Sequence, residues 1–304
     1  MNNNDKLKSK ENESSKTSIN WYPGHMAKTK KEIMNSMQII DIVIEILDSR
    51  IPLSSRNPDI QNLTKNKKKI ILLNKIDLAD EKQTEKWKAY FAKECEACLL
   101  TDSNSGKGIN QVLKKIEELM EEDKKKAALR GRINKTTRVM ILGIPNVGKS
   151  SFINRVSKSS KLEVANRPGV TKRNQWIRIG KNQELLDTPG VLWPKFESQE
   201  VALNLSFTGT IKDDILEITE IAYELLKMLN ERYQEKLFER YKIEASEWET
   251  INDSSNPIYD LMKLIARKRG AIISGGKEDI EKTARIILDD FRSGRIGKIT
   301  LEVV

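Results

Sequence analysis

The chain has 304 residues, a formal net charge of +10, two cysteines and a single histidine. That length allows two domains with separate cores, and the charge favours a polyanionic partner without naming one. No apolar run approaches the roughly 18 residues of a membrane span, so no membrane partner is expected, and Cys95-x-x-Cys98 has no second pair with which to build a zinc site.

Met1–Ser18 is rich in Asn, Lys, Ser and Glu and nearly devoid of apolar residues, the composition of a disordered tail. It has no apolar core for a signal peptide, and its acids speak against a transit peptide, so a cytoplasmic location is expected. Ile39–Leu47 reads as a first strand, and Ile70–Leu73, Cys98–Thr101 and Val139–Leu142 as shorter ones. Continuous apolar runs of this kind suit strands covered on both faces. Ile109, Val112, Leu113, Ile116 and Met120 follow one helix face between them. The alternation predicts an α/β fold, a doubly wound parallel sheet over residues 19–194. Past Trp193-Pro194 the pattern turns helical. Ile215, Ile218, Ala222, Leu225 and Leu229 form one stripe, with Asp213 or Asp214 as its cap. Ile258, Leu261, Met262 and Ile265 form a second stripe, and Ile280, Ala284, Ile287, Leu288 and Phe291 a third. Residues 195–304 are therefore predicted to be a smaller, mostly helical domain, with a short strand at Ile299–Val303. Basic residues gather in Asp123–Arg138 and in the last two helices, where a solvated face is as ready an explanation as a binding surface.

Three short segments carry chemistry. Gly143-Ile144-Pro145-Asn146-Val147-Gly148-Lys149-Ser150 fits G-x-x-x-x-G-K-S between a strand-like and a helix-like stretch, the context a phosphate loop requires. Backbone groups of Asn146, Val147, Gly148, Lys149, Ser150 and Ser151 would turn toward phosphate oxygens, aided by the helix dipole. Lys149 would reach the β- and γ-phosphates, and Ser150 would ligate Mg²⁺. Asn74-Lys75-Ile76-Asp77 follows a strand; the Asp77 carboxylate can accept two parallel hydrogen bonds from N1–H and the 2-amino group of guanine, a pair that adenine lacks. Asp102-Ser103-Asn104-Ser105-Gly106 would close over the base, with a register open by one residue about Ser103. Asp187-Thr188-Pro189-Gly190 would place Asp187 beside Mg²⁺ and the Gly190 N–H on the γ-phosphate, an interaction that hydrolysis would end. Thr171 is the further candidate ligand to Mg²⁺, against the alternative of an ordinary Pro-Gly turn at Pro168-Gly169. The base-reading segment precedes the phosphate loop, so the order is permuted. The segment after Gly190 then leads into the helical part, and departure of the γ-phosphate is expected to reorient that part and alter its affinity for RNA.

These motifs in this order, with Trp21-Tyr22-Pro23-Gly24-His25-Met26 and Asp48-Ser49-Arg50-Ile51-Pro52-Leu53-Ser54-Ser55-Arg56-Asn57-Pro58, resemble the circularly permuted GTPases of the bacterial ribosome biogenesis GTPase A family. The resemblance runs from about Asn20 to the C-terminus. It implies a cytoplasmic enzyme that hydrolyses GTP to GDP, is a monomer off the ribosome, and binds rRNA in a late precursor of the large ribosomal subunit through its C-terminal domain. Where many GTPases carry a water-orienting glutamine this chain has Val191, so intrinsic hydrolysis should be slow. The resemblance implies that His25 reaches the γ-phosphate once the subunit has docked; a structural histidine fixed by the Pro23-Gly24 turn is the alternative. Asn146 matches the asparagine that K⁺-dependent relatives use as a ligand, against a residue that only shapes the turn. Three other readings stand beside this one: a GTP-gated RNA-binding placeholder, a nucleotide kinase or ATPase, and a mitochondrial relative.

Overall fold

The computed structural model of the protein describes residues 24–128, 136–159, 175–180, 182–194, 196 and 198–304. The predicted tail and Thr171 lie outside these residues. Helix α1 (Gly24–Met37) leads into β1 (Ile42–Asp48), followed by α2 (Pro58–Leu63), β2 (Lys68–Asn74), α3 (Glu81–Phe91) and β3 (Ala97–Leu100). Then come α4 (Ile109–Ala128), β4 (Thr137–Leu142), α5 (Lys149–Ser159), β5 (Gln175–Gly180) and β6 (Gln183–Asp187). Six helices follow: α6 (Gln199–Phe207), α7 (Ile218–Arg232), α8 (Gln234–Tyr241), α9 (Ala245–Asn252), α10 (Pro257–Arg269) and α11 (Ile280–Arg292).

The strands form one sheet in the order β3-β2-β1-β4-β6-β5. Pairs β1·β2, β1·β4, β2·β3 and β4·β6 are parallel, so the loops after β1, β2, β3, β4 and β6 emerge at one edge. The sheet departs from a wholly parallel one at β5, which pairs antiparallel with β6. A short link between adjacent strands permits only that direction, because a parallel return needs a long crossover. Every residue of β1 is buried, as a strand covered on both faces must be. Ile42, Ile44, Ile46, Ile70, Leu72, Val139 and Ile141 face α4 and α5. Their neighbours Val43, Met140, Leu142 and Leu186 face α1 and α2, and Leu47, Ile71 and Leu73 face α3. This two-residue alternation sorts the side chains between the two helical layers. β1 starts three residues later than expected, since Ile39 lies exposed in the turn after α1.

The apolar core on the α4/α5 face continues into Leu205, Phe207, Leu225, Leu229, Leu261, Ile287 and Phe291 of the C-terminal helices. The second and third predicted stripes are α10 and α11. The first is corrected: α7 begins at Ile218 with Glu217 before it, while Ile215 is exposed and the Asp213 carboxylate takes two hydrogen bonds from Arg292 rather than capping the helix. The strand expected at Ile299–Val303 is also absent. The partners of the segment are loops rather than a strand: Ile299 N–H donates to the Leu78 carbonyl and Leu301 N–H to the Arg50 carbonyl, both at the sheet edge where the loops after β1 and β2 emerge. The Glu302 carboxylate accepts from the backbone N–H groups of Leu53 and Ser54 at 2.5 and 2.8 Å, and the Trp87 indole N–H donates to the Glu302 carbonyl.

Candidate functional site

The loop 143–148 turns directly from β4 into α5, so the first N–H groups of α5 point along the helix axis toward whatever sits on the loop. Lys149 is only 8% exposed, and its ammonium donates to the carbonyls of Gly143 and Ile144 at 3.0 and 2.8 Å. Burial pulls its pKa down to about 8, against the pull of Asp187 in the other direction. Ser150 is exposed at the start of α5. Asp187 ends β6, and burial raises its pKa while Lys149 lowers it. The Ser150 hydroxyl and the Asp187 carboxylate are hard oxygen donors of the kind Mg²⁺ selects, and a cation would offset the burial cost Asp187 bears, so these residues fit that ion.

Asn74 joins the predicted base-reading segment to the predicted phosphate loop. Its amide donates to the Val147 carbonyl at 2.8 Å, while Oδ1 accepts from the Thr101 hydroxyl and from both the N–H and hydroxyl of Ser103. One buried side chain thus locks three loops that are far apart in sequence. Gly148, at φ +99°, leaves the space this amide needs; a Cβ there would strike Asn74 Nδ2. Lys75 and Asn146 both adopt φ +62°, a left-handed backbone that costs non-glycine residues about 1–2 kcal/mol, and they sit in the walls of one cleft.

That cleft, about 300 Å³, is lined by Asn74, Lys75, Asp102, Ser103, Asn104, Asn146, Gly148, Lys149, Ser150 and Ser151. Asp77 stands in an adjoining hollow that shares Asp102 as a wall. Its side chain opens to solvent, yet desolvation by the surrounding loops, then the Asp102 charge, raises its pKa. Ser103 is fixed in the cleft wall by Asn74. The Asn146 amide donates to the Gly209 carbonyl, a residue just past α6. His25 falls in the first turn of α1, and its side chain lies outside the described residues. Ile33 and Met37 of α1 pack in the same cluster as Val191, which sets that helix behind the Asp187–Gly190 segment.

Gly190 approaches the phosphate loop closely: a Cβ would lie 2.6 Å from the Pro145 nitrogen and 2.8 Å from Lys149 Nζ. Gly190→Ala is therefore expected to push the loop away and to cost about tenfold or more in preference for GTP over GDP, with GDP affinity little changed. Competition binding with the two nucleotides reads this directly; an unaltered preference would contradict the close approach.

Several contributors went unassigned in the sequence. Asn57 caps α2 by accepting from Asp59 N–H and donates its amide to the Val191 carbonyl at 2.8 Å, anchoring the chain just past Gly190. Asp48 and Arg50 are buried polar residues at the end of a fully buried strand, and that position is the signal that could have marked them. The cysteines are free thiols; burial pushes Cys98 up to about 12, away from thiolate chemistry. In the C-terminal basic cluster, Arg267 pairs with Glu278, Lys268 with Glu247, Arg285 with Glu281, and Arg292 with Asp213. The exposed Arg285–Glu281 pair is worth little, whereas Arg292 grips both Asp213 oxygens at 2.8 Å in a part-buried pair.

The chain resembles proteins of known kind. Residues 138–251 match the family described as 50S ribosome-binding GTPase. That span holds the phosphate loop and Asp187–Gly190 but begins after Asn74 and Asp77, as the permuted order requires. Ribosome biogenesis GTPase A from Bacillus licheniformis is 43% identical over 93% of this chain and 98% of its own length. The protein of that name from Bacillus pumilus is 42% identical over the same shares. The GDP-bound structure of YlqF is similar with a TM-score of 0.64 and 26% identity, over 90% of this chain and 98% of that one.

Proposed function

The chain belongs to the ribosome biogenesis GTPase A family and is a GTPase of ribosome biogenesis; from that premise we propose that it binds a late precursor of the large ribosomal subunit, in the cytoplasm, and hydrolyses GTP when the precursor stimulates it. The observation that supports this best is the Asn74 side chain, which ties a guanine-type segment to a phosphate loop and so makes one compact site out of reordered parts. Asn74, Lys75, Asp77 and Ser103 hold the base. Backbone groups of residues 146–151, with Lys149, hold the phosphates, and Gly190 meets the γ-phosphate. Ser150, Thr171 and Asp187 hold Mg²⁺. Bound there, the ion would neutralise phosphate charge.

Water activation needs a group that the Asp187–Gly190 segment lacks. Val191 is buried, with its carbonyl engaged by Asn57, so it orients no water. His25 is the proposed activator, and its helix packs behind Val191. Asn146 is the proposed K⁺ ligand; its amide is within hydrogen-bonding reach of Gly209, which also gives it a structural duty. His25→Ala should cut subunit-stimulated turnover by about 10²–10³-fold and leave GTP affinity intact. The assay is GTPase rate with and without purified large-subunit precursor, run in KCl and in NaCl. Undiminished stimulated turnover in the variant would remove His25, and equal rates in the two salts would remove K⁺.

The Asn146–Gly209 hydrogen bond favours a second reading, a GTP-gated RNA-binding placeholder whose hydrolysis only times release. It links the phosphate loop to the segment before α7, where Arg292 of α11 also bonds the carbonyls of Ser206 and Phe207. Under that reading, precursors would mature in the presence of a nonhydrolysable GTP analogue.

A further inference from the structure

Lys75 of the proposed base site belongs to a buried charge cluster whose other two members, Asp48 and Arg50, have no role assigned so far. Asp48 closes β1 directly beside Asn74 of β2 in the parallel register. Asp48 and Arg50 are each only 2% exposed. Arg50 Nε and Nη2 donate to the two Asp48 oxygens at 3.0 and 2.8 Å, and Lys75 Nζ lies 2.9 Å from Asp48 Oδ2. One carboxylate therefore serves two cations. Burial alone would raise the Asp48 pKa, yet Arg50 and Lys75 together hold its carboxyl well below the usual range.

Arg50 is gripped in turn from the far end of the chain. Its guanidinium lies 5.4 Å from the centre of the Phe291 ring, Nη1 donates to the Arg292 carbonyl at 3.4 Å, and its own carbonyl accepts from Leu301 N–H at 2.8 Å. An Asp48–Arg50 pair is already neutral, so Lys75 is not needed to balance charge. Its presence in the trio instead places it in the wall of the cleft. A lysine otherwise free to rotate is fixed in one place, and the ordering cost is met before ligand arrives.

We propose that Asp48 and Arg50 are positioning residues for nucleotide binding: they hold Lys75 in the wall of the cleft, and α11 completes the grip through Phe291 and the Arg292 carbonyl. This role rests on the assignment of Lys75 to the base site proposed above. The C-terminal helices thereby belong to the guanine side of the site as well as to any RNA surface.

The test measures affinity for GDP and for Mg²⁺–tripolyphosphate, which engages the phosphate loop but has no base, in the full chain and its variants. Lys75→Met and Asp48→Asn should each weaken GDP binding about tenfold, the double variant should be no weaker than the worse single, and tripolyphosphate affinity should stay within about twofold. If Lys75→Met leaves GDP binding unchanged, the base-site assignment itself falls. If Lys75→Met weakens GDP but Asp48→Asn does not, or if the two losses multiply, the positioning role is overturned while the base site stands. Equal losses on GDP and tripolyphosphate would show general damage and also overturn it. Should Asp48→Asn fail to fold, Arg50→Lys decides. It keeps the charge but breaks the two-point grip, and it should weaken GDP several-fold without touching tripolyphosphate; no change in GDP affinity would refute the role.

Discussion

Lys149→Ala should lower GTP turnover by about 10²–10³-fold, because it deletes the one side-chain cation seated inside the phosphate loop. The ammonium is held by two loop carbonyls, so it is already placed before ligand arrives and needs no reorganisation to meet developing charge. The same burial makes it sensitive to pH. Its pKa is depressed to about 8, so the free protein loses this charge as pH rises through that value. Phosphate oxygens favour the protonated form, and binding must then take up a proton. Apparent GTP affinity should fall roughly tenfold between pH 7 and pH 9, with about one proton absorbed per GTP bound at the higher pH. Titration calorimetry in buffers of different ionisation heat measures that uptake. A pH-independent affinity, or full activity in Lys149→Ala, would contradict this placement.

Asp77→Asn should exchange one purine for another. An ionised carboxylate accepts from N1–H and the 2-amino group of guanine. An amide offers one acceptor and one donor, which matches the N1–H and the 2-carbonyl of xanthine. GTP affinity should fall by roughly 10²-fold, as expected for a polar group left unpaired, and xanthosine triphosphate should bind in its place. Asp77 stands in the hollow beside the phosphate-loop cleft and shares the Asp102 wall with it, so the exchange also tests whether one ligand spans both spaces. Competition of both triphosphates for parent and variant gives the answer. A variant that still prefers GTP would dissolve the claim that these segments read a base.

Much of this was legible in the residues. Strand-end motifs announce themselves because phosphate and base recognition demand particular side chains directly after a strand, and the four apolar runs found their places in the sheet. What stayed hidden has physical reasons. Asn74 reads locally as part of a base motif, but its wider duty comes from Val147 and Ser103, which only the fold brings near. Asp48 and Arg50 belong to a segment that carries the family resemblance, but their pairing with Lys75 becomes visible only once β1 is seen to be fully buried beside β2. Ile299–Val303 has the composition of a strand, yet composition cannot tell pairing with a strand from pairing with loops. Asp213 sits near the start of α7 but is drawn off by Arg292, and no local rule foresees a partner 79 positions away.

The segment at residues 299–302 has a consequence for how the protein comes into being. Translation delivers it after the residues that line the cleft, yet its bonds reach back to Arg50, Leu53 and Leu78. Pairings so distant along the chain close slowly, since loop-closure entropy must be overcome first. The loops after β1 and β2 therefore gain these hydrogen bonds only once residues 299–302 have been made.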